Sequence, residues 1–379
     1  MTTNRREWLK LSSLAIIGSG LSLNSLANEE GLTRNFGAEK GLINLGANEN
    51  PYGISPKAKE AILNMIAEAN RYTFNIASLQ TFKKELAEYY KVLPEQLLIT
   101  AGSGEALALL ARHYSKGNLV TANPTFGILP ATAKKIGTEV IEIPLTTDKV
   151  HDLPKMLAAI TDKTQLVYIC NPANPSSTIL QPAALKTFCI EAAKKAKVVI
   201  DEAYIDFLDA PVNESMIGLI DKNPNIIVLR TFSKIHGMAG LRVGFVVGHP
   251  SVIKELEPNY FQNSQFAVSN LSLAAAQASL TDEEHRKQCK QKNEAARIYT
   301  LQALQQMGIH CIPSYTNFIF FHLNNYAGDF AQDMLTKNNV LLRSSVQPDG
   351  KWGRVSIGTM EEMKKFVTIM QQTNWKTNS

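Results

Sequence analysis

Cysteine is scarce in this chain. Four residues in 379, at positions 170, 189, 289 and 311, are far apart and include no C-x-x-C pair. Such spacing offers neither a zinc site nor a redox dithiol, and leaves the four as buried, inert thiols. The seven histidines are scattered, with no H-E-x-x-H among them, so no metal ligand set is indicated. Excess charge is also missing. A net charge of +5 is mild, and no Lys/Arg cluster interleaves with aromatics, which removes the support for a nucleic-acid partner. No apolar run is long and uninterrupted enough for a stable membrane span. What is present is the composition of an ordinary globular enzyme, 45% hydrophobic and 19% charged. The chain is long enough to bury a large core in two domains.

The N-terminus has a character of its own. Arg5 and Arg6, then Trp8, Leu9 and Lys10, lead into a moderately apolar stretch at 11–23 that is rich in Ser and Gly. Ser25, Leu26 and Ala27 offer a small-x-small cleavage site. The whole resembles a bacterial twin-arginine signal, an uncleaved amphipathic helix being the alternative. Residues 1–27 are therefore expected to be an export signal that places the mature protein in the periplasm. If the signal is not used, the protein is cytoplasmic.

Residues 28–55 read as an N-terminal arm with turns, since NENPYG at 48–53 is rich in turn formers. Ser55 and Pro56 open an amphipathic helix running to about residue 69, and a second follows over 78–90. Short apolar runs at 97–100, 118–121, 139–143, 166–170, 198–200, 226–229 and 243–248 then predict strands. Several are apolar throughout, as strands covered on both faces must be. The pattern predicts an α/β unit with a mostly parallel seven-stranded sheet between helices, over 56–260. After about residue 250 the pattern changes: helical segments at 251–260, 267–280 and 283–307, short strands at 317–321, 340–342 and 354–357, and a last helix over 360–371 follow, and residues 261–379 are expected to form a smaller α+β unit with its connecting helix.

In such sheets ligands bind at the carboxyl ends of the strands, and four strand ends carry suggestive residues. Lys234 follows the run at 226–229, with Thr231 and Ser233 beside it, small residues at 237, 239, 240 and 244, and Arg242 beyond. An amine that can form an imine, next to hydroxyls and a fixed positive charge, suits a phosphorylated aldehyde. Asp201 ends another buried strand, where a carboxylate is costly without a partner. A protonated heterocyclic nitrogen would be one, and a helix cap or structural ion pair would serve as well. The sequence NPANPSS at 171–177 makes a rigid turn. TAGSGE at 100–105 frees backbone N–H groups for an anion at a helix N-terminus.

These segments, with DEAY at 201–204, SKIHGMAGLRVG at 233–244 and RVSIGT at 354–359, resemble the pyridoxal 5′-phosphate (PLP) enzymes of fold type I, the aspartate aminotransferase fold. Within that group they resemble the histidinol-phosphate aminotransferases, and the resemblance runs over about 40–373. It implies that Lys234 carries PLP covalently and moves the proton, that Asp201 pairs with the pyridinium nitrogen, and that Asn174 and Tyr204 hydrogen-bond the 3′-oxygen. It also implies that Ser103, Gly104, Thr231, Ser233 and Arg242 cradle the phosphate, and that Phe126 stacks on the ring. Tyr72 matches a tyrosine that reaches the phosphate across a dimer interface, so the resemblance implies a homodimer. Arg354 matches the arginine that clasps the substrate carboxylate. Arg343 matches a second, supporting arginine, and Tyr52 a tyrosine near the substrate side chain.

The implied activity is transfer of an amino group from a donor, often glutamate, to an oxo acceptor in ping-pong order. Histidinol phosphate, aromatic amino acids and other amino acids are all compatible with Tyr52, Arg343 and Arg354. A decarboxylase or racemase would retain Lys234 and Asp201 too. A PLP-binding regulator would need a DNA-binding domain ahead of residue 28, where only the short signal-like segment stands. One departure is local: the usual Asn-Pro-Thr-Gly reads Asn174, Pro175, Ser176, Ser177 here.

Overall fold

The computed structural model describes residues 41–72, 76–264, 266–324 and 326–373. The signal expected at 1–27 and the arm up to residue 40 lie outside the described residues. After the two-residue strand β1 (Ile43–Asn44), seven strands follow: β2 (Leu97–Thr100), β3 (Asn118–Asn123), β4 (Glu139–Pro144), β5 (Thr164–Cys170), β6 (Lys197–Asp201), β7 (Ile226–Thr231) and β8 (Gly244–Gly248). They form one sheet in the order β2-β8-β7-β6-β5-β3-β4. Strand β8 runs antiparallel to both its neighbours, and every other pairing is parallel. The fold is therefore the α/β fold type I expected from the sequence.

Period-2 alternation explains the continuous apolar runs. Val198 and Ile200 of β6 enter the apolar cluster on one face of the sheet, and Val199 enters the cluster on the other. Ile226 and Val228 of β7 divide in the same way from Ile227 and Leu229, as strands buried on both faces require. The register pairs Cys170 with Asp201 and Asp201 with Leu229. The carboxyl ends of β5 and β6 are thus level and β7 runs on to Thr231, so the segments that follow them share one edge.

Helices Ser103–His113, Ile128–Lys135, Leu153–Ala158 and Pro182–Ala193 connect the strands. Helix Pro250–Ser264 runs past residue 260. Helix Asn270–Leu280 packs on Pro56–Met65 and Ile76–Tyr90, and its Leu273, Ala275, Ala276 and Leu280 belong to the same apolar cluster as β6 and β7.

From Glu283–Gln306 onward the chain builds a third apolar cluster, which Leu45 also joins. Strands β9 (Phe318–His322), β10 (Val340–Leu341), β11 (Arg343–Gln347) and β12 (Gly350–Ser356) follow. Strands β11, β12 and β9 make an antiparallel sheet, and β10 pairs in parallel with β1. Helix Met360–Gln372 closes the unit behind a capping box of Thr359 and Glu362. All four cysteines are buried and free. Among the described residues, no helix is long and apolar enough to cross a membrane.

Candidate active site

Lys234 follows β7, and its Nζ donates a 2.9 Å hydrogen bond to the carbonyl of Asn48. The amine lies 5.5 Å from the centroid of the Tyr204 ring. Burial, and then the guanidinium of Arg354, lower its pKa from 10.5 to about 8. Both effects penalise the charged form. A minor but usable fraction of the amine is therefore neutral and nucleophilic at neutral pH, and most of it above about pH 8.

Asp201, at the end of β6, is buried. Its Oδ1 accepts from the Ala203 amide at 3.1 Å, and its Oδ2 accepts from the Tyr168 hydroxyl at 3.2 Å. Both donors are neutral, and burial pushes the carboxyl up to about 6. Tyr204 accepts at its hydroxyl from the amides of Asn48 (3.0 Å) and Asn174 (3.2 Å). Arg354, on β12, donates from Nη1 to Asn174 Oδ1 at 2.7 Å and from Nη2 to the Gly46 carbonyl at 3.0 Å. Its Nε is buried with no hydrogen-bond partner.

The anion cup forms where the start of Ser103–His113 meets the loop after β7. Gly102 caps that helix without a side-chain bond, at φ 82°, so the first-turn N–H groups point at whatever occupies the cavity. A Cβ at 102 would run into the Arg242 guanidinium, and one at 244 would come within 2.5 Å of the Ser103 nitrogen. Only glycine at both positions lets the helix terminus, Arg242 and the strand end close on one point. Thr231 Oγ1 donates to Ser233 Oγ at 3.0 Å. Arg242 Nη1 donates to the Ala239 carbonyl at 2.9 Å and lies 3.5 Å from Ser233 Oγ.

One cavity of about 260 Å³ is lined by Ser103, Gly104, Phe126, Asn174, Asp201, Tyr204, Thr231, Ser233, Lys234, Arg242 and Arg354. Three expected residues lie outside its lining. Arg343 lines an adjoining cavity of about 490 Å³, which shares Phe126, Asn174 and Arg354 with the first. Tyr52 is half-buried, under the Lys292 amine at 5.0 Å. Tyr72 is 68% exposed and stands 5.1 Å from the ring of Phe266.

Two residues that sequence reasoning did not single out also matter. Asn48 binds Tyr204 and Lys234 together; its signal was the turn-rich NENPYG segment. Tyr168 holds Asp201 from the middle of a buried strand, where nothing marks it. Ser177 takes φ 62°, the left-handed backbone that the glycine usual at this place would adopt freely. Its carbonyl accepts from the Tyr315 amide at 2.9 Å, which ties the turn to the smaller unit.

This donor set fits a flat, phosphorylated aldehyde with a basic ring nitrogen. The amine could take the aldehyde, the carboxyl whose hydrogen-bond donors are neutral could face the ring nitrogen, and the helix terminus with Arg242 could take the phosphate. The lowered amine makes a prediction. Capture of free PLP by the apoprotein should speed up with pH and level off above about 8, because deprotonation of Lys234 limits it. A capture rate still rising tenfold per pH unit up to pH 10 would contradict this assignment.

The profile of the aminotransferase class I and II family matches residues 40–370. The histidinol-phosphate aminotransferase of Brevibacillus brevis is 34% identical over 355 residues, covering 93% of this chain and 94% of its own. That of Bacillus subtilis is 32% identical over 345 residues, covering 90% and 94%. Among solved structures, a protein from Erwinia carotovora atroseptica superposes with a TM-score of 0.81 at 31% identity, over 87% of this chain and 95% of its own. The histidinol-phosphate aminotransferase of Sinorhizobium meliloti, in complex with pyridoxal-5′-phosphate, gives a TM-score of 0.81 at 24% identity over 88% and 91%, a likeness of fold.

Proposed function

Because the chain belongs to the family of class I and II aminotransferases, we propose that the cavity at Lys234 takes PLP and that the protein is a ping-pong aminotransferase of histidinol-phosphate aminotransferase type. The observation that carries this is the convergence of an amine of lowered pKa, Lys234, and a buried carboxyl with neutral hydrogen-bond donors, Asp201, on one cavity with an anion cup. When bound, PLP supplies the aldehyde that takes the amino group and a ring that accepts electrons.

The chain's own residues do the rest. The neutral form of the Lys234 amine would take the proton from the substrate Cα and deliver it to the carbon that was the cofactor's aldehyde, as a general base and then acid poised near working pH. Asp201, ionised once a cation faces it, favours a protonated ring nitrogen. The Asn174 and Tyr204 pair positions a phenolic oxygen. Ser103, Gly104, Thr231, Ser233 and Arg242 hold the phosphate, and Phe126 offers a flat face to the ring. Arg354 receives the substrate carboxylate, for which a planar guanidinium fork is suited. Arg343 and Tyr52 face the substrate side chain in this reading.

Glutamate as amino donor, with the oxo counterpart of histidinol phosphate as acceptor, is the proposed substrate pair, on the strength of the relatives' names and the two arginines. Tyr72 completes the phosphate site of a second copy in a homodimer. Its exposure and the outward-facing Leu63 and Ile66 support this. Residues 1–27 are proposed as a twin-arginine signal, so that the mature enzyme works in the periplasm; an unprocessed chain in the cytosol would overturn that. The packing of Asn270–Leu280 on the large sheet's helices favours placing the boundary between the two units near Asp282 instead of after 260.

A panel of amino acids added to the purified holoenzyme tests the activity. Glutamate and histidinol phosphate are expected to convert the cofactor absorbance to that of pyridoxamine phosphate. Aromatic amino acids acting better than histidinol phosphate would reassign the substrate. Decarboxylated product, or no conversion with any donor, would overturn the transaminase assignment.

A further inference from the structure

Lys149 occupies the turn after β4 at φ 60°, a left-handed backbone that residues with side chains avoid. Its side chain is 9% exposed, unusual for lysine unless it has partners. Those partners are on the other unit. Nζ donates to Asp349 Oδ2 at 2.6 Å and to Gln347 Oε1 at 3.2 Å, and lies 4.6 Å from the centroid of the Trp352 ring. Trp352 in turn donates from Nε1 to Asp349 Oδ1 at 3.1 Å and stacks on Phe320 at 4.8 Å. One ammonium therefore engages three residues of the β11–β12 hairpin, by charge, hydrogen bond and cation–π contact.

The hairpin matters because its register sets Arg343 opposite Arg354. The other end of Lys149 leads back to the same place. Its carbonyl accepts from Thr178 Oγ1 at 2.9 Å, at the close of the loop that carries Asn174, and Asn174 Oδ1 accepts from Arg354. The circuit Arg354, Asn174, Thr178, Lys149, Asp349 and back along the hairpin is closed. Trp352 and Phe320, steadied by the same amine, also wall the adjoining cavity of about 490 Å³.

We infer that Lys149 is a positioning residue: it locks the β11–β12 hairpin against the Asn174 loop and so sets the affinity of Arg354 for the substrate carboxylate. The inference rests on Arg354 as the carboxylate-binding residue. An ordinary surface ion pair would affect little. This one is buried on the lysine side and bridges the two units that must hold substrate between them. Lys234, Asp201 and Arg242 are not on the hairpin, and Asn174, the one cofactor-facing group in the circuit, keeps its own bond to Tyr204, so the lock acts on substrate affinity more than on cofactor binding.

The test is steady-state kinetics of the holoenzyme with its amino donor. Lys149→Met keeps the aliphatic stem and removes the amine. It is expected to raise KM about tenfold, leave kcat within about twofold, and leave cofactor content and absorbance unchanged. Asp349→Asn, which removes the charge of the same pair from its more exposed side, should raise KM in the same way. Lys149→Arg can still reach Asp349, so it should stay within about threefold of the unaltered enzyme. Arg354→Lys serves as the reference and should raise KM strongly. If Arg354→Lys raises KM while Lys149→Met and Asp349→Asn do not, the lock is refuted. A loss of cofactor, or a fall in kcat at unchanged KM, would mark Lys149 as merely structural and refute it too. If Arg354→Lys leaves KM unchanged, the reading of Arg354 fails and this inference falls with it.

Discussion

Lys234→Ala is expected to abolish transamination, with a loss of at least about 10³-fold in kcat, since a positioned general acid–base alone contributes about 10²–10⁴-fold. No other amine lines the cavity among the described residues, so nothing replaces the proton carrier. The cofactor absorbance due to its bond with the lysine should vanish, and borohydride should no longer fix the cofactor to the chain. Binding itself should persist, weakened, because the anion cup of Ser103, Gly104, Ser233 and Arg242 is untouched. Folding should survive as well. Burial and the Arg354 guanidinium depress the Lys234 pKa from 10.5 to about 8. A lysine depressed in this way destabilises the folded apoprotein below pH 8, and that cost fades only as pH rises from about 8 toward 10.5. Removing the amine removes the cost, which offsets the lost 2.9 Å bond to Asn48. An apo Lys234→Ala protein that melts as the unaltered protein does, yet turns over no donor, is the expected result. Borohydride-stable cofactor on the variant would refute the assignment.

The residues legible in the sequence were those whose position follows from local pattern. Asp201 and Lys234 stand just past apolar runs, and runs covered on both faces are unmistakable. Helix Pro182–Ala193 was harder: its buried Leu185, Phe188, Cys189, Ala192 and Ala193 recur at helical spacing, but its exposed face mixes Ala183, Ala184 and Ile190 with Lys186, Thr187 and Glu191, which weakens the polar contrast that sets a period. Strand Arg343–Gln347 is exposed along nearly its whole length. It exists because β12 pairs with it, a fact of tertiary structure that no alternation of its own residues announces. Asn48 and Tyr168 show the same limit at the site. Asn48 meets Tyr204 across 156 positions. Tyr168 is one more apolar-looking strand residue until its hydroxyl is seen against Asp201. Long-range partners of this kind are chosen by the fold, and the sequence carries only the side chain that will be needed.

Asp201→Asn separates charge from shape. The amide is isosteric, and its Oδ1 can still accept from the Ala203 amide. Its NH₂ group would face Tyr168, whose hydroxyl can turn from donor to acceptor, so the local packing should hold. What is lost is the capacity for negative charge. The carboxyl is pushed up to about 6 in the apoprotein, burial outweighing its hydrogen bonds. It is thus neutral at low pH and ionises readily at neutral pH, most of all when a cation faces it. An amide stays neutral throughout and cannot ionise, so a ring nitrogen bound against it gains nothing from being protonated. Preorganised charge in a buried site typically changes rates by about 10²–10³-fold, and a fall of that order in the donor half-reaction is expected for Asp201→Asn. The Lys234-bound cofactor should still form, and the apoprotein should keep its stability. The variant's rate should also lose the acid-limb dependence on pH that titration of Asp201 would impose. A donor half-reaction within threefold of the unaltered enzyme would show that the buried carboxyl is structural and that the electron sink is tuned by something else in the cavity.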